Sequence, residues 1–334
     1  MTQPTLKGAL VGAGMISLYH LRAWQASGVP IVAICDIDRA AAEARAEEFG
    51  IDRVYDDPEK MFADGGFSLV DIAASVTAHD SVTRLAADHS VHVILQKPMV
   101  ETVARAEALV TYVGDRIRFM IHENYRFRPH YMTVRKWIAD GRIGDIRHIV
   151  MSCRGSGLCD RPGQEPFLVE RQPYLKGFKR NLVFESMIHH LDVCRALAGP
   201  LTVVAAKLNR LATGLPGEDT ASILMEGKDG LIVTADGCLC APGYALLHGD
   251  RLEVIGTTGT IIMDYNRVFI VGAEEQAVEV DLLGRYQECF DIATKAFVDG
   301  VRNDTPFETD RLDNLQTLRL MESVYNAAGV EIDE

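Results

Sequence analysis

Three groups of residues in this sequence have the types and spacing that chemistry needs. The first is Gly12-Ala13-Gly14-Met15-Ile16-Ser17, which follows an apolar run and opens a helical segment. Glycines at this spacing allow a tight turn and let the backbone approach a pyrophosphate, which then sits at a helix N-terminus among unpaired amides. Serine stands where a third glycine would be and is still small enough for close helix–strand packing. Asp36 closes the next apolar run, 22 residues after Gly14, where a carboxylate accepts from both hydroxyls of a ribose. Its charge repels a 2′-phosphate, so the pattern predicts NAD, with NADP disfavoured; Arg39 nearby argues the other way. The second group is Gln96-Lys97-Pro98, a lysine at the end of an apolar run and locked by a proline. That end of a strand faces the crevice where open α/β sheets bind ligands. The third group is Glu185-Ser186-Met187-Ile188-His189-His190-Leu191-Asp192. Glu185 and His189 are i and i+4 and so share a face if the segment is an α-helix. A carboxylate that accepts from one imidazole nitrogen leaves the other as a base. The same residues also read as a solvated salt bridge, or as zinc ligands that lack a third member.

Positioning these groups requires a particular order of elements. The runs GALVGAG, IVAICD, LVDIAAS, HVILQKP and RFMIHE are bounded by Gly, Asp or Pro and lack one-sided alternation, as strands buried on both faces do. Helical segments lie between them, and this alternation predicts βαβ units and a parallel sheet. Beyond residue 124 the texture changes to alternating segments separated by turns such as Lys228-Asp229-Gly230, the pattern of antiparallel hairpins. Helical patterns at 286–300 and 309–328 close the chain. The expected fold class is α/β: an N-terminal Rossmann doubly wound parallel sheet, then a C-terminal α+β domain on a large, mostly antiparallel open sheet. The change of texture at Glu123 and Asn124 divides the chain into a dinucleotide-binding part, 1–123, and a part for substrate binding and oligomerisation, 124–334. TASILMEG and GLIVTADG are apolar at so many positions that an uncovered sheet face would be a large apolar patch. Pairing two such faces gives an isologous contact, so a homodimer or homotetramer is expected.

Composition removes several classes of function. With 34 Lys and Arg against 47 Asp and Glu, the formal charge is −13. A polyphosphate partner calls for the opposite balance, so no nucleic acid and no anionic membrane surface is expected. No apolar run approaches the ~18 residues of a membrane helix, and the N-terminal segment does not have the form of a signal peptide. Seven cysteines at irregular spacing fit reduced thiols in a cytoplasmic protein. Cys238 and Cys240 lack the second pair that would complete a zinc site, and no metal is expected.

Taken in order, the glycine turn with its ribose acid, the Lys-Pro pair, Asn124-Tyr125-Arg126-Phe127 and the acid-x-x-x-His segment span nearly the whole chain. In this order they resemble the Gfo/Idh/MocA family of nicotinamide-dependent sugar and polyol oxidoreductases. The family's usual Glu-Lys-Pro is here Gln96-Lys97-Pro98, and its usual Asp-x-x-x-His has Glu185 before His189. His79 and the hairpin Gly256-Thr257-Thr258-Gly259-Thr260 also match. The resemblance implies oxidation of a hydroxyl, with hydride passing to the nicotinamide and the proton to His189. Glu185 would orient His189, and Lys97, after a cis peptide to Pro98, would hydrogen-bond the reacting oxygen. Implied cofactor contacts are Gly12, Gly14, Met15, Ile16, Asp36, Ile37, Ser75, Val76, His79, Gln96, Lys97 and Asn124. Implied substrate contacts are Lys97, Asn124, Tyr174, Arg180, His189 and His190. Gln-Lys-Pro-Met with the later His-Glu-Asn is similar to a subgroup acting on the aldose D-apiose, which implies a lactone product. The alternative is a non-enzymatic sensor of NAD or sugar on the same fold, which would not need both Lys97 and His189.

Overall fold

The computed structural model describes residues 6–247, 249–281 and 284–332. Contacts divide the chain into two units, one of residues up to Phe127 with Tyr286–Leu318, the other of Arg128–Arg285 with the residues from Arg319 onward. The first unit opens with β1 (Gly8–Val11), α1 (Ser17–Ser27), β2 (Ile31–Cys35), α2 (Arg39–Phe49), β3 (Arg53–Tyr55) and α3 (Pro58–Asp64). It continues with β4 (Leu69–Ile72), α4 (Val76–Asp88), β5 (His92–Gln96), α5 (Val103–Val113) and β6 (Phe119–His122). The six strands pair in parallel in the order β3-β2-β1-β4-β5-β6. β1, β4 and β6 are buried along their whole length, which is why they read as continuous apolar runs. The helices start at local signals: Asp38 accepts from the Ala40 and Ala41 amides, a cap worth ~1 kcal/mol. The strand order reverses between β1 and β4, so a ligand crevice opens at their carboxyl ends.

The second unit contains α6 (Pro129–Ala139), β7 (Ile146–Arg154), α7 (Phe167–Arg171), a π-helical turn (Leu182–Met187) and α8 (Ile188–Ala198). Then follow β8 (Thr202–Asn209), β9 (Thr220–Glu226), β10 (Ile232–Cys238), β11 (Gly249–Gly256), β12 (Thr260–Asp264), β13 (Arg267–Ile270) and β14 (Val278–Glu279). These strands form one sheet, β14-β13-β12-β11-β7-β10-β9-β8. Neighbours are antiparallel except β7 and β10, which run parallel. β9 shows the one-sided period: Ala221, Ile223 and Met225 are buried while Ser222, Leu224 and Glu226 are exposed.

The chain ends with α9 (Tyr286–Asn303) and α10 (Arg311–Ala327). A single cut after Glu123 does not describe this division, because Tyr286–Leu318 belongs to the first unit. The reason is the apolar face of α9: Cys289, Phe290, Ala293 and Phe297 enter the same core as Trp24, Leu69, Ile94 and Met120. Burying each phenylalanine contributes roughly 1.5–3 kcal/mol, and periodicity alone does not say which sheet receives that face. Among the described residues no helix is long and apolar enough to cross a membrane.

Candidate functional site

In the first unit the two glycines after β1 do different work. Gly12 is buried with φ +103°, and a Cβ there would lie 2.5 Å from the backbone of Ala73 and Ala74. Glycine is therefore required for β1 and β4 to close up at the strand-order reversal. Gly14 is exposed and a Cβ there would meet no atom of the chain within 4 Å. Nothing in the described packing demands glycine at 14, and its backbone is open to close approach. Ser17, in the third glycine's place, is fully buried and its hydroxyl donates to the Gly14 carbonyl at 2.6 Å while accepting from Arg45.

Asp36 lies beside this turn. Its Oδ2 accepts from the Ala13 amide at 2.6 Å and its Oδ1 from the Asp38 amide at 2.8 Å. A carboxylate has about four acceptor positions, so these two amides leave about two of them open. The exposed turn at Gly14 and the anchored Asp36 carboxylate thus fit a dinucleotide. Arg39 is engaged by Glu43 at 2.9 Å and by Asp56 at 3.6 Å. Met15 and Ile37 are exposed on the turn and after Asp36, and Ile16 is half-buried. Ser75 stands at the N-cap position of α4 with its hydroxyl 3.0 Å from that of Thr77, and Val76 is the helix's first residue.

Lys97 follows β5 and its peptide to Pro98 is cis. His79 is almost fully buried and acts on this turn from α4. Its Nδ1 lies 2.9 Å from the Pro98 carbonyl and its Nε2 3.1 Å from that of Ala74. Burial lowers its pKa against the opposing effect of these carbonyls. His79 therefore ties the end of β4 to the Lys97 turn and presents no exposed ring. Gln96 Oε1 accepts from the Lys97 amide at 2.8 Å, and its Nε2 lies 3.0 Å from His20 Nε2. His20 Nδ1 in turn meets Asp71 Oδ2 at 2.8 Å. Asn124 is buried, with its amide nitrogen 3.3 Å from Cys289 Sγ. Arg126, two residues on, is held by Asp313 at 2.6 Å and the Glu308 carbonyl. In this segment the arginine is a strut.

In the second unit the segment carrying Glu185 is a π-helical turn, and α8 begins only at Ile188. An α-helical i, i+4 face therefore does not link Glu185 to His189. Single π turns inside helices recur at functional sites. Here Glu218 receives the turn's first amides: its Oε2 accepts from Asn181 at 3.1 Å, and its Oε1 from Val183 at 3.0 Å and from the Tyr325 hydroxyl at 2.7 Å. Burial raises the Glu218 pKa against these donors. Tyr174 hydrogen-bonds Glu185; burial of the hydroxyl, with the Glu185 carboxylate, raises the Tyr174 pKa. Arg180 stacks on Phe184 with 4.5 Å from the guanidinium carbon to the ring centre.

His189 and His190 are adjacent in sequence and differ in setting. His189 retains slight exposure, 7%. His190 is fully buried, with Nε2 2.8 Å from Asp250 Oδ1 and Nδ1 3.2 Å from the Ser186 carbonyl. The resemblance implied a substrate contact for His190; its ring is instead turned inward and held by Asp250. Asp250 Oδ2 accepts from the Tyr131 hydroxyl at 3.0 Å and lies 3.5 Å from the Arg128 guanidinium. Cys153, His190 and Asp250 are, among the described residues, a group whose donor atoms lie within 4.8 Å of one another, close enough to share a metal. Both Asp250 oxygens, however, are already taken by hydrogen bonds within the chain.

The sequence reading missed Asp250 and Glu218, which have no spacing relation to the helix they serve. It also missed His20 and Asp71. Asp71 did leave a signal, an acid inside the buried run LVDIAAS, where an unpaired charge is almost never found.

Comparison with known proteins extends these observations. Residues 6–120 match the oxidoreductase family with an NAD-binding Rossmann fold, and residues 131–262 match the GFO/IDH/MocA C-terminal domain. The chain is 30% identical to D-apiose dehydrogenase of Rhizobium rhizogenes over 98% of this chain and 97% of the relative. It is 32% identical to D-apiose dehydrogenase of Paraburkholderia graminis over 98% and 88%. A crystal structure of an oxidoreductase from Agrobacterium radiobacter in complex with NAD+, L-tartaric acid and magnesium superposes with a TM-score of 0.89 at 29% identity, covering 97% of this chain and 96% of that one. Levoglucosan dehydrogenase in complex with NADH and levoglucosan shares the fold, with a TM-score of 0.85 at 19% identity and 97% of each chain covered. With both of its domains matched and its turn fitted to a dinucleotide, the chain belongs to the Gfo/Idh/MocA family of NAD-dependent sugar and polyol oxidoreductases.

Proposed function

We propose that this enzyme oxidises an aldose, with D-apiose or a close relative as substrate and a lactone as product. The observation that carries this reading is the likeness to D-apiose dehydrogenases over 98% of the chain. NAD, bound at the Gly14 turn and Asp36, supplies the hydride acceptor. His189 takes the proton of the reacting hydroxyl, a task for which imidazole is the usual side chain. Glu185 steadies the imidazolium through its carboxylate, and Tyr174 holds Glu185 by the hydrogen bond described above. Lys97 donates a hydrogen bond to the oxygen on which negative charge develops. Asp36 selects NAD by accepting from the ribose hydroxyls and repelling a 2′-phosphate. Tyr174, with its partly exposed ring, and Arg180 are assigned to the substrate side. The outward sheet face that exposes Val204, Leu224 and Ile232 is assigned to self-association, giving a homodimer or homotetramer.

NADH absorbance over a panel of pentoses and polyols tests the reading. D-apiose should give the highest kcat/KM, and mass spectrometry should find the lactone. His189→Ala should lower kcat by ~10²–10⁴-fold with little change in NAD affinity. Failure of every sugar to reduce NAD, or wild-type turnover by His189→Ala, would refute it. A higher kcat/KM with NADP would refute the role of Asp36, and a monomer in sedimentation would remove the sheet-face assignment.

A further inference from the structure

The buried groups behind Lys97 form a chain whose proton positions follow from geometry. The Lys97 amide can only donate, and it donates to Gln96 Oε1 at 2.8 Å. This settles the orientation of the Gln96 amide, which is otherwise ambiguous for such side chains. Its NH2 group therefore faces His20 Nε2, at 3.0 Å. A donor facing that nitrogen requires it to be an acceptor without a hydrogen. The proton of His20 is then on Nδ1, 2.8 Å from Asp71 Oδ2. The same Asp71 oxygen accepts from the Trp24 indole at 2.7 Å. His20 and Asp71 are both fully buried, and the His20 ring packs against His122 and Phe290.

We infer that Asp71–His20–Gln96 is a positioning device for the Lys97 turn, with His20 neutral and protonated on Nδ1, and that this tautomer selects an amide at position 96. The inference rests on the proposed role of Lys97 at the reacting oxygen. A glutamate at 96 would turn a carboxylate toward His20 Nε2 and call for a second proton on the ring. The chain would then carry −1, +1 and −1 where it now carries −1, 0 and 0. The total is the same, but the charges sit in different places. An amide at 96 thus keeps formal charge away from the Lys97 amide while holding the same hydrogen-bonded geometry. Asp71 and His20 are fully buried behind Gln96. They act through the backbone of Lys97, where a misplacement of ~1 Å can cost about 10²-fold in rate.

Two measurements test this on the whole 334-residue chain. In ¹⁵N-histidine NMR, with the His20 signals assigned by their loss in His20→Gln, the wild type should show Nδ1 protonated and Nε2 bare. Gln96→Glu should show both nitrogens protonated at the same pH. In kinetics, His20→Leu should lower kcat by about 10–100-fold while KM for NAD changes less than about 3-fold. His20→Gln, which can again meet the Gln96 amide, should recover most of that loss. A purely structural role would lower the melting temperature of His20→Leu and leave kcat of the folded enzyme unchanged, which overturns the inference. So does a wild-type His20 protonated on Nε2. If the wild type reduces no NAD with any sugar, the proposed function fails, and the NMR arm still decides how the chain holds its proton.

Discussion

Two buried histidine–aspartate pairs, one in each unit, share a 2.8 Å contact and differ in chemistry. His20 meets Asp71 through Nδ1, and its far nitrogen faces the Gln96 amide donor. His190 meets Asp250 through Nε2, and its far nitrogen faces the Ser186 carbonyl. A donor at the far nitrogen makes the first ring neutral. An acceptor there lets the second ring hold two protons. Burial opposes that charge, but Asp250 and the adjoining Cys153 outweigh it and raise the His190 pKa to about 10. The distance between imidazole and carboxylate thus does not tell an ion pair from a neutral hydrogen bond. The third partner does, and with it changes whether the pair serves mainly stability or positioning.

The largest separation between the pairs should appear on removing the acid. Asp250→Ala breaks the buried ion pair, so that His190 gives up its second proton, and it takes the acceptor from the Tyr131 hydroxyl; it should destabilise the protein by ~3–5 kcal/mol in urea unfolding. Asp71→Ala leaves a neutral ring and an indole without their acceptor, and should cost ~1–3 kcal/mol. Equal losses would break the comparison.

The pH dependence of stability sharpens it. His190 has a folded pKa above its unfolded value, so its contribution is complete below pH 6.5 and is lost as the pH rises through about 10. One such group changes stability by at most ~1.4 kcal/mol per pH unit. His130 behaves oppositely. Burial, with Arg128 beside it, lowers its pKa to about 3. The unfolded chain then takes up a proton below pH 6.5 that the folded chain refuses, and stability falls on acidification. Urea midpoints at pH 5, 7 and 9 should decline on both sides of neutrality, and Asp250→Ala should abolish the alkaline decline. An unchanged alkaline slope in that variant would show that His190 is not the group responsible. The smallest effect concerns the π turn: Tyr325→Phe removes the hydroxyl from Glu218 and should cost ~1 kcal/mol, with kcat falling if Glu185 shifts. An unchanged midpoint would mean the two amides alone satisfy Glu218.

The parallel sheet, the glycine turn and Asp36 were legible in the sequence because each is encoded within a short stretch. β1, the turn and α1 lie within about 20 residues, and the buried strands announce themselves as apolar runs. The order of motifs was enough to identify the family, since it does not depend on geometry. The settings of His189 and His190 could not be read from their neighbours, because the partner that buries His190 is 60 residues away. His20 lies 51 residues from Asp71 and 76 from Gln96, and Glu218 lies 107 from Tyr325. The face of α9 was visible as an amphipathic pattern, but not the core that receives Phe290 and Phe297. Local sequence determines φ/ψ preferences and which faces are apolar, because those depend on nearest neighbours. Which buried polar atom meets which, and hence where each histidine carries its proton, was decided only when distant segments packed together and left each group one set of partners away from water.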